Sequence, residues 1–149
     1  MATNYSVSLE RILREFGFET LYLPSDASEL YVTSQDVNRP GLLLAGRDDY
    51  FDPARVQILG LSELEFLKTQ TPQQQNAGLE RLTSRKPAVI LITRNLECPD
   101  NLLSLCQKYD VPLLRTQEST SSCMSAIISF LVTVLTERLT AHRVSVEVA

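Results

Sequence analysis

Three apolar or β-branched runs, Arg55 to Leu59, Ala88 to Thr93 and Val111 to Leu114, are separated by segments of helical character, and this alternation restricts the fold more than any other feature. Short runs without strict polar alternation suit strands buried on both faces, the condition found inside a parallel sheet. Parallel neighbours cannot be joined by a tight hairpin and need crossovers, here helical ones. The helix starts are marked. Ser62-Glu63-Leu64-Glu65 fits a capping box, and Thr71-Pro72-Gln73-Gln74 combines a cap, proline at the first helical position and glutamine three residues after the cap. Pro99 opens a further helix carrying Leu102, Leu103 and Cys106. The same capping residues make the polar stretch from Lys68 to Gly78 a helical turn instead of a linker.

The expected fold class is α/β: a single domain with a mainly parallel central sheet and crossover helices on both faces, a Rossmann-like half. At 149 residues and 44% hydrophobic content, one domain can bury a core large enough to offset its chain entropy. Near the N-terminus, Leu9, Ile12, Leu13 and Phe16 follow helical spacing, with Ser6 or Ser8 as cap and Gly17 as stop. Thr20 to Leu23 and Leu30 to Thr33 read as strands on either side of a polar loop. The last helix, about Ser121 to Leu139, is apolar nearly all round, which implies either deep burial within the domain or a second partner surface.

Several function classes are disfavoured. A net charge of −4, with scattered basic residues, argues against a general nucleic-acid binder. No apolar run reaches the roughly 18 residues that cross a bilayer, and the N-terminus lacks a signal-peptide pattern, so a cytoplasmic location without membrane partners is expected. The five glycines are too dispersed for a GxxxxGK[ST] phosphate loop, and no GxSxG, HExxH or HRD pattern occurs. Cys98, Cys106 and Cys123 have neither a CxxC spacing nor a histidine pair and read as core fillers; Cys123 acting with His142 is the nucleophilic alternative. Asp48, Asp49 and Asp52 could attract a hard cation, but Asp52-Pro53 has the form of a turn cap, with Arg47 and Arg55 near enough to neutralise the acids. Catalytic, cofactor-binding and metal-ligating residues are therefore not assigned.

A small-ligand site has a geometric argument. In open parallel sheets ligands bind beyond the carboxyl ends of the strands. Arg94 follows one strand, Arg115 and Thr116 end the next, and the ESTSS segment adds hydroxyls and helix N-terminal amides, a set that suits a phosphate or carboxylate. Solvation of these arginines, or pairing with an acid such as Glu97, is the structural alternative. Arg39 and Gly41 in the RPG segment pose the same choice between a ligand pocket and an architectural turn, in which Pro40 holds Arg39 extended, Gly41 permits a turn and the following leucines enter the core.

The string VNRPGLLLAGRDDYFDPARVQILGLSELEFL, residues 37 to 67, resembles the N-terminal domain of bacterial HPr kinase/phosphorylase. ILITRNLECPDNLL, residues 90 to 103, VPLLRTQEST, residues 111 to 120, and LTERLT, residues 135 to 140, follow in the family's order. The resemblance implies a two-domain cytoplasmic enzyme that uses ATP or pyrophosphate to phosphorylate a serine of HPr, and removes that phosphate, in carbon catabolite repression. It further implies a homo-oligomer, a hexamer in the family, activated by fructose bisphosphate. ATP and Mg would then belong to a C-terminal kinase domain, with residues 1–140 forming the N-terminal α/β domain and 141–149 a tail or the start of the next domain. Where the family places a His-Gly pair this chain has Val146-Glu147, so no catalytic role passes to His142. The expectation is a non-catalytic assembly and regulatory domain, the alternative a stand-alone sensor of a sugar phosphate or nucleotide-like anion.

Overall fold

The structure is a computed structural model that describes residues 5–47 and 51–148, with side chains of the last helix described through Thr136. Its centre is a five-stranded sheet formed by β2 (Glu19–Tyr22), β4 (Val37–Asn38), β5 (Val56–Leu59), β6 (Val89–Ile92) and β7 (Leu113–Arg115), in the order β2-β7-β6-β5-β4. The four strands from β4 to β7 are parallel and lie side by side in chain order, and β2 joins the far edge antiparallel to β7. The expected α/β fold with a mainly parallel sheet is the fold observed. Thr20 to Leu23 and Leu30 to Thr33 do contain strands, but not partners: β3 (Tyr31–Val32) pairs instead with β1 (Val7–Ser8) in a separate two-stranded sheet.

The apolar runs are buried on both faces, as their composition requires. Leu59, Ile90, Ile92 and Leu113 point into one core, whereas Val56, Ile58, Val89, Leu91 and Leu114 point into the other. This period-two division is what a pleated strand between two helical layers produces. All the crossover helices share the first core: α2 (Gly41–Leu44), α3 (Leu61–Lys68), α4 (Pro72–Ser84) and α5 (Asp100–Tyr109). The second face is covered by α1 (Leu9–Phe16) and α6 (Thr120–Val148). Helix α1 begins at Ser8, whose hydroxyl accepts from the Arg11 amide, and stops at Gly17 in the left-handed region, φ 66°.

Helix α6 answers the question its composition raised. Through Thr136, Cys123, Ile127, Leu131, Val134 and Leu135 are buried, Ile128 and Phe130 are half-buried, and Ala126 and Val132 are exposed, so most of the apolar surplus of this described part is spent inside the domain. The helix also runs beyond Leu139, to Val148.

Two local expectations are corrected. The cap of α3 is Gly60, not Ser62, because Leu61 and Ser62 are already helical; Glu63 reaches back to the Gly60 amide. Gly41 is not held in a turn that other residues resist: it starts α2 with an ordinary φ, and a Cβ there would meet nothing within 4 Å. Of the three leucines, Leu43 and Leu44 enter the core and Leu42 is 63% exposed. The indispensable glycine lies elsewhere. Helix α4 crosses α2 at Gly78, where a Cβ would stand 2.8 Å from the Leu44 carbonyl oxygen, and Arg81 donates to the Leu43 and Leu44 carbonyls at 3.0 and 3.3 Å. Gly78→Ala is expected to destabilise the protein by about 1–3 kcal/mol through overpacking against backbone. Gly41→Ala should be neutral or stabilising by up to about 1 kcal/mol. Denaturant unfolding of both variants checks the pair.

Candidate functional site

The carboxyl ends of the parallel strands are where a ligand crevice would lie. In this chain four side chains meet there across a glycine. Glu63 is only 6% exposed, and its Oε1 accepts from the Gly60 amide at 2.7 Å and from Arg39 Nη2 at 2.9 Å. Arg39 reaches it from the segment after β4, and Gly60 is the first residue beyond β5. Thr93, the first residue beyond β6, is fully buried and shares a 2.6 Å hydrogen bond with Thr120 Oγ1 at the start of α6. Gly60 lets these groups converge: a methyl group on it would stand 2.4 Å from Thr120 Oγ1 and 3.1 Å from Arg39 Nη2. The junction thus ties α3 on one face and α6 on the other to the ends of three strands. Its polar groups are satisfied by one another, the arrangement of a structural core polar network.

The proposed anion-binding residues are distributed unevenly around this junction. Arg94 and Arg115 do lie on the same sheet edge, since Ile92 is the register partner of Arg115. Arg115, however, is held by Glu19, directly opposite on antiparallel β2, through Nε to Oε1 at 2.9 Å and Nη2 to Oε2 at 3.2 Å. Its remaining Nη1 donates to the Leu96 carbonyl at 3.3 Å. A bidentate guanidinium–carboxylate pair of this kind is already neutralised. Arg94 is exposed, and its backbone sits in the left-handed region, φ 58°, followed by Asn95 at φ 51°. Thr116 serves the turn: its amide donates to Ile92, its carbonyl accepts from Asn95 and its hydroxyl from the Glu118 amide. Arg39 bridges to α3, and Gly41 takes no part in the junction.

The other chemical candidates resolve as follows. Asp52 accepts from the Ala54 amide at 2.9 Å and lies 3.7 Å from Arg55 Nε, a turn cap with a neighbouring cation. Asp48 and Asp49 fall outside the described residues, among which no group of three His, Cys, Asp or Glu side chains could hold a metal. Burial pushes the Cys106 thiol up to about 12 and the Cys123 thiol up to about 11, and it also raises that of Cys98. Thiols so placed stay protonated near neutrality and are poor nucleophiles. His142 has no described side chain, so its pairing with Cys123 lies outside the described residues.

One residue past Gly60 begins a groove of about 630 Å³, bounded by α3, the start of α4 and the loop from β6 into α5. Sequence reasoning did not find it, nor did it find Glu63 and Thr93 as partners at the junction; Thr120 was reached only as one of the hydroxyls of the ESTSS segment, and it bonds Thr93 in place of a ligand. Thr93 carries a faint mark, as a polar residue ending an apolar run; Glu63 was visible only as a cap.

The fold resembles the CBS and DRTGG regulatory region of a Clostridium perfringens pyrophosphatase complexed with the activator diadenosine tetraphosphate, with a TM-score of 0.56 at 13% identity over 81% of this chain and 45% of that one. The sequence is more specific. Residues 7–131 match the family described as HPr Serine kinase N terminus, and the chain belongs to that family. It is 40% identical over 144 residues to an HPr kinase/phosphorylase of Caldicellulosiruptor bescii and 32% identical over 143 residues to one of Lactococcus lactis subsp. lactis. These matches cover 97% and 96% of this chain but 46% of each relative, so the chain spans about half the length of the curated relatives it matches. Among the described residues no helix is long and apolar enough to cross a membrane.

Two outcomes test the junction and its neighbour. Arg39→Ala leaves a buried carboxylate with one donor fewer and should cost about 1–3 kcal/mol, the range for a hydrogen bond to a charged group, reduced toward the lower end by the partial exposure of Arg39. Chemical unfolding measures it. The second concerns pH. Hydrogen bonds from Arg115, and more weakly its charge, hold the Glu19 carboxyl below its ordinary value of 4.5, against desolvation. A carboxyl lowered in the folded state contributes stability above its unfolded value, and that stability is lost as pH falls through the folded value. Arg115→Gln should therefore flatten the fall of Tm with pH below about 4.5. The fall persists in part, because Glu80, held low by Tyr109 and Lys108, titrates in the same window.

Proposed function

We propose that this chain is the non-catalytic assembly and regulatory part of an HPr kinase/phosphorylase. In this reading the remaining half of the enzyme carries the ATP- or pyrophosphate-dependent phosphorylation of an HPr serine, and its reversal, in carbon catabolite repression. ATP and Mg belong to that C-terminal kinase domain. HPr is a partner of the whole enzyme, a homo-oligomer working in the cytoplasm, and residues 141–149 form the passage from one domain to the next. The observation that carries the reading is family membership over residues 7–131, combined with a strand-end crevice filled by the chain's own Arg39, Glu63, Thr93 and Thr120. A crevice closed by satisfied hydrogen bonds supports a scaffold, since a ligand entering it would have to displace them.

The second reading is an anion sensor at Arg94 and Arg115. It draws on the pyrophosphatase regulatory region, which shares the fold and is complexed with a nucleotide activator. The pairing of Arg115 with Glu19 weighs against it. Titrating fructose bisphosphate and ATP against the 149-residue chain while following Tm separates the two. The scaffold reading expects no saturable rise, whereas a specific ligand at 100 times its Kd would add about 2.7 kcal/mol. A saturable rise that Arg94→Ala abolishes would replace the scaffold by the sensor.

A further inference from the structure

The groove between α3 and the β6–α5 loop has a chemistry of its own, independent of the strand-end junction. Leu61, Leu64 and Leu96 supply apolar lining, and Leu61 remains 43% exposed. Around them stand Glu65, Glu97 and Asp100, while the single lysine of the lining, Lys68, is bound to Glu65 at 3.0 Å. Among the described residues neither Glu97 nor Asp100 has an ion-pair partner. The rim therefore carries net negative charge over an apolar floor, which repels sugar phosphates and nucleotides and attracts cations with an apolar body.

The shape separates a polypeptide from a small amine. Leu61 to Lys68 runs along about 10 Å of helix axis. That length matches roughly three extended residues, and the groove continues past it to Pro72 and Gln75 at the start of α4. A volume of about 630 Å³ is room enough for several side-chain-sized groups. The loop that forms the opposite wall is fixed in place. Its consecutive left-handed residues Arg94 and Asn95 donate to the Glu118 and Thr116 carbonyls, and Arg115 holds the Leu96 carbonyl. Non-glycine residues persist in that region only where the surrounding structure over-determines them, as these hydrogen bonds do, so the wall is formed before any ligand arrives.

We infer that this groove docks a short segment of a partner polypeptide in which an apolar side chain, seated among Leu61, Leu64 and Leu96, is flanked by lysine or arginine facing Glu97 and Asp100. The test uses two fluorescein-labelled octapeptides, one alternating leucine with lysine and one alternating leucine with glutamate. Binding to the 149-residue chain is followed by anisotropy at 150 mM salt, with amide chemical shifts to locate the site. The lysine peptide should bind saturably and shift residues 61–68 and 96–101, and the glutamate peptide should not bind. Glu97→Lys with Asp100→Lys should weaken binding at least tenfold, whereas Glu15→Lys with Glu29→Lys, the same charge change on exposed residues outside the groove lining, should change it less than twofold. Absence of saturable binding, shifts confined elsewhere, or equal losses in the two double variants would overturn the inference.

Discussion

The carboxylate of Glu63 is the point on which the arrangement of this domain turns. A charge so deeply buried loses several kcal/mol of hydration and persists only where donors replace the water. Here the donors are the Gly60 amide and the Arg39 guanidinium, from two different strand ends. Meeting that requirement fixes the start of α3 and draws the segment after β4 across the sheet edge. The absence of a side chain on Gly60 leaves room for Thr120 to bond Thr93 from the opposite face. The Glu63 ion pair and the Thr93–Thr120 bond thus meet at Gly60, one tied to each of the two helical layers that the apolar strands separate.

This accounts for the RPG segment, whose composition looks like that of a ligand loop. Arg39 provides the cation, Pro40 caps the short helix α2 and the two buried leucines anchor it against α4. Gly78 and Arg81 complete the contact from the α4 side. The segment links the sheet edge to the crossover layer, a mechanical role. The neighbouring groove differs from the junction: there Leu61, Leu64 and Leu96 lie beside the carboxylates of Glu97 and Asp100, which have no ion-pair partner among the described residues.

What could be read from the sequence was whatever depends on local periodicity. The runs at β5, β6 and β7 and the caps Ser8 and Thr71 are legible because burial on two faces and orphan amides each leave a mark within a few residues. The partner of Arg115 was not legible: Glu19 lies 96 residues away and meets it only because β2 adds antiparallel to the sheet edge. The two-residue strands β1 and β4 are too short for any periodicity to announce them, and Gly60 offers no capping side chain by which the start of α3 could be recognised. The groove combines residues from α3, α4 and a loop, so no window of sequence contains it. Family membership reaches further than these physical marks because it preserves long-range arrangements that local patterns cannot encode.

The central claim is that reactivity resides outside this domain. The most direct measurement is transfer of labelled phosphate from ATP, with Mg present, to the serine of purified HPr by the 149-residue chain alone, beside a relative of full length as control. The account predicts label on HPr with the full-length relative and only background with this chain. Labelled phosphoserine on HPr after incubation with the 149-residue chain would contradict it.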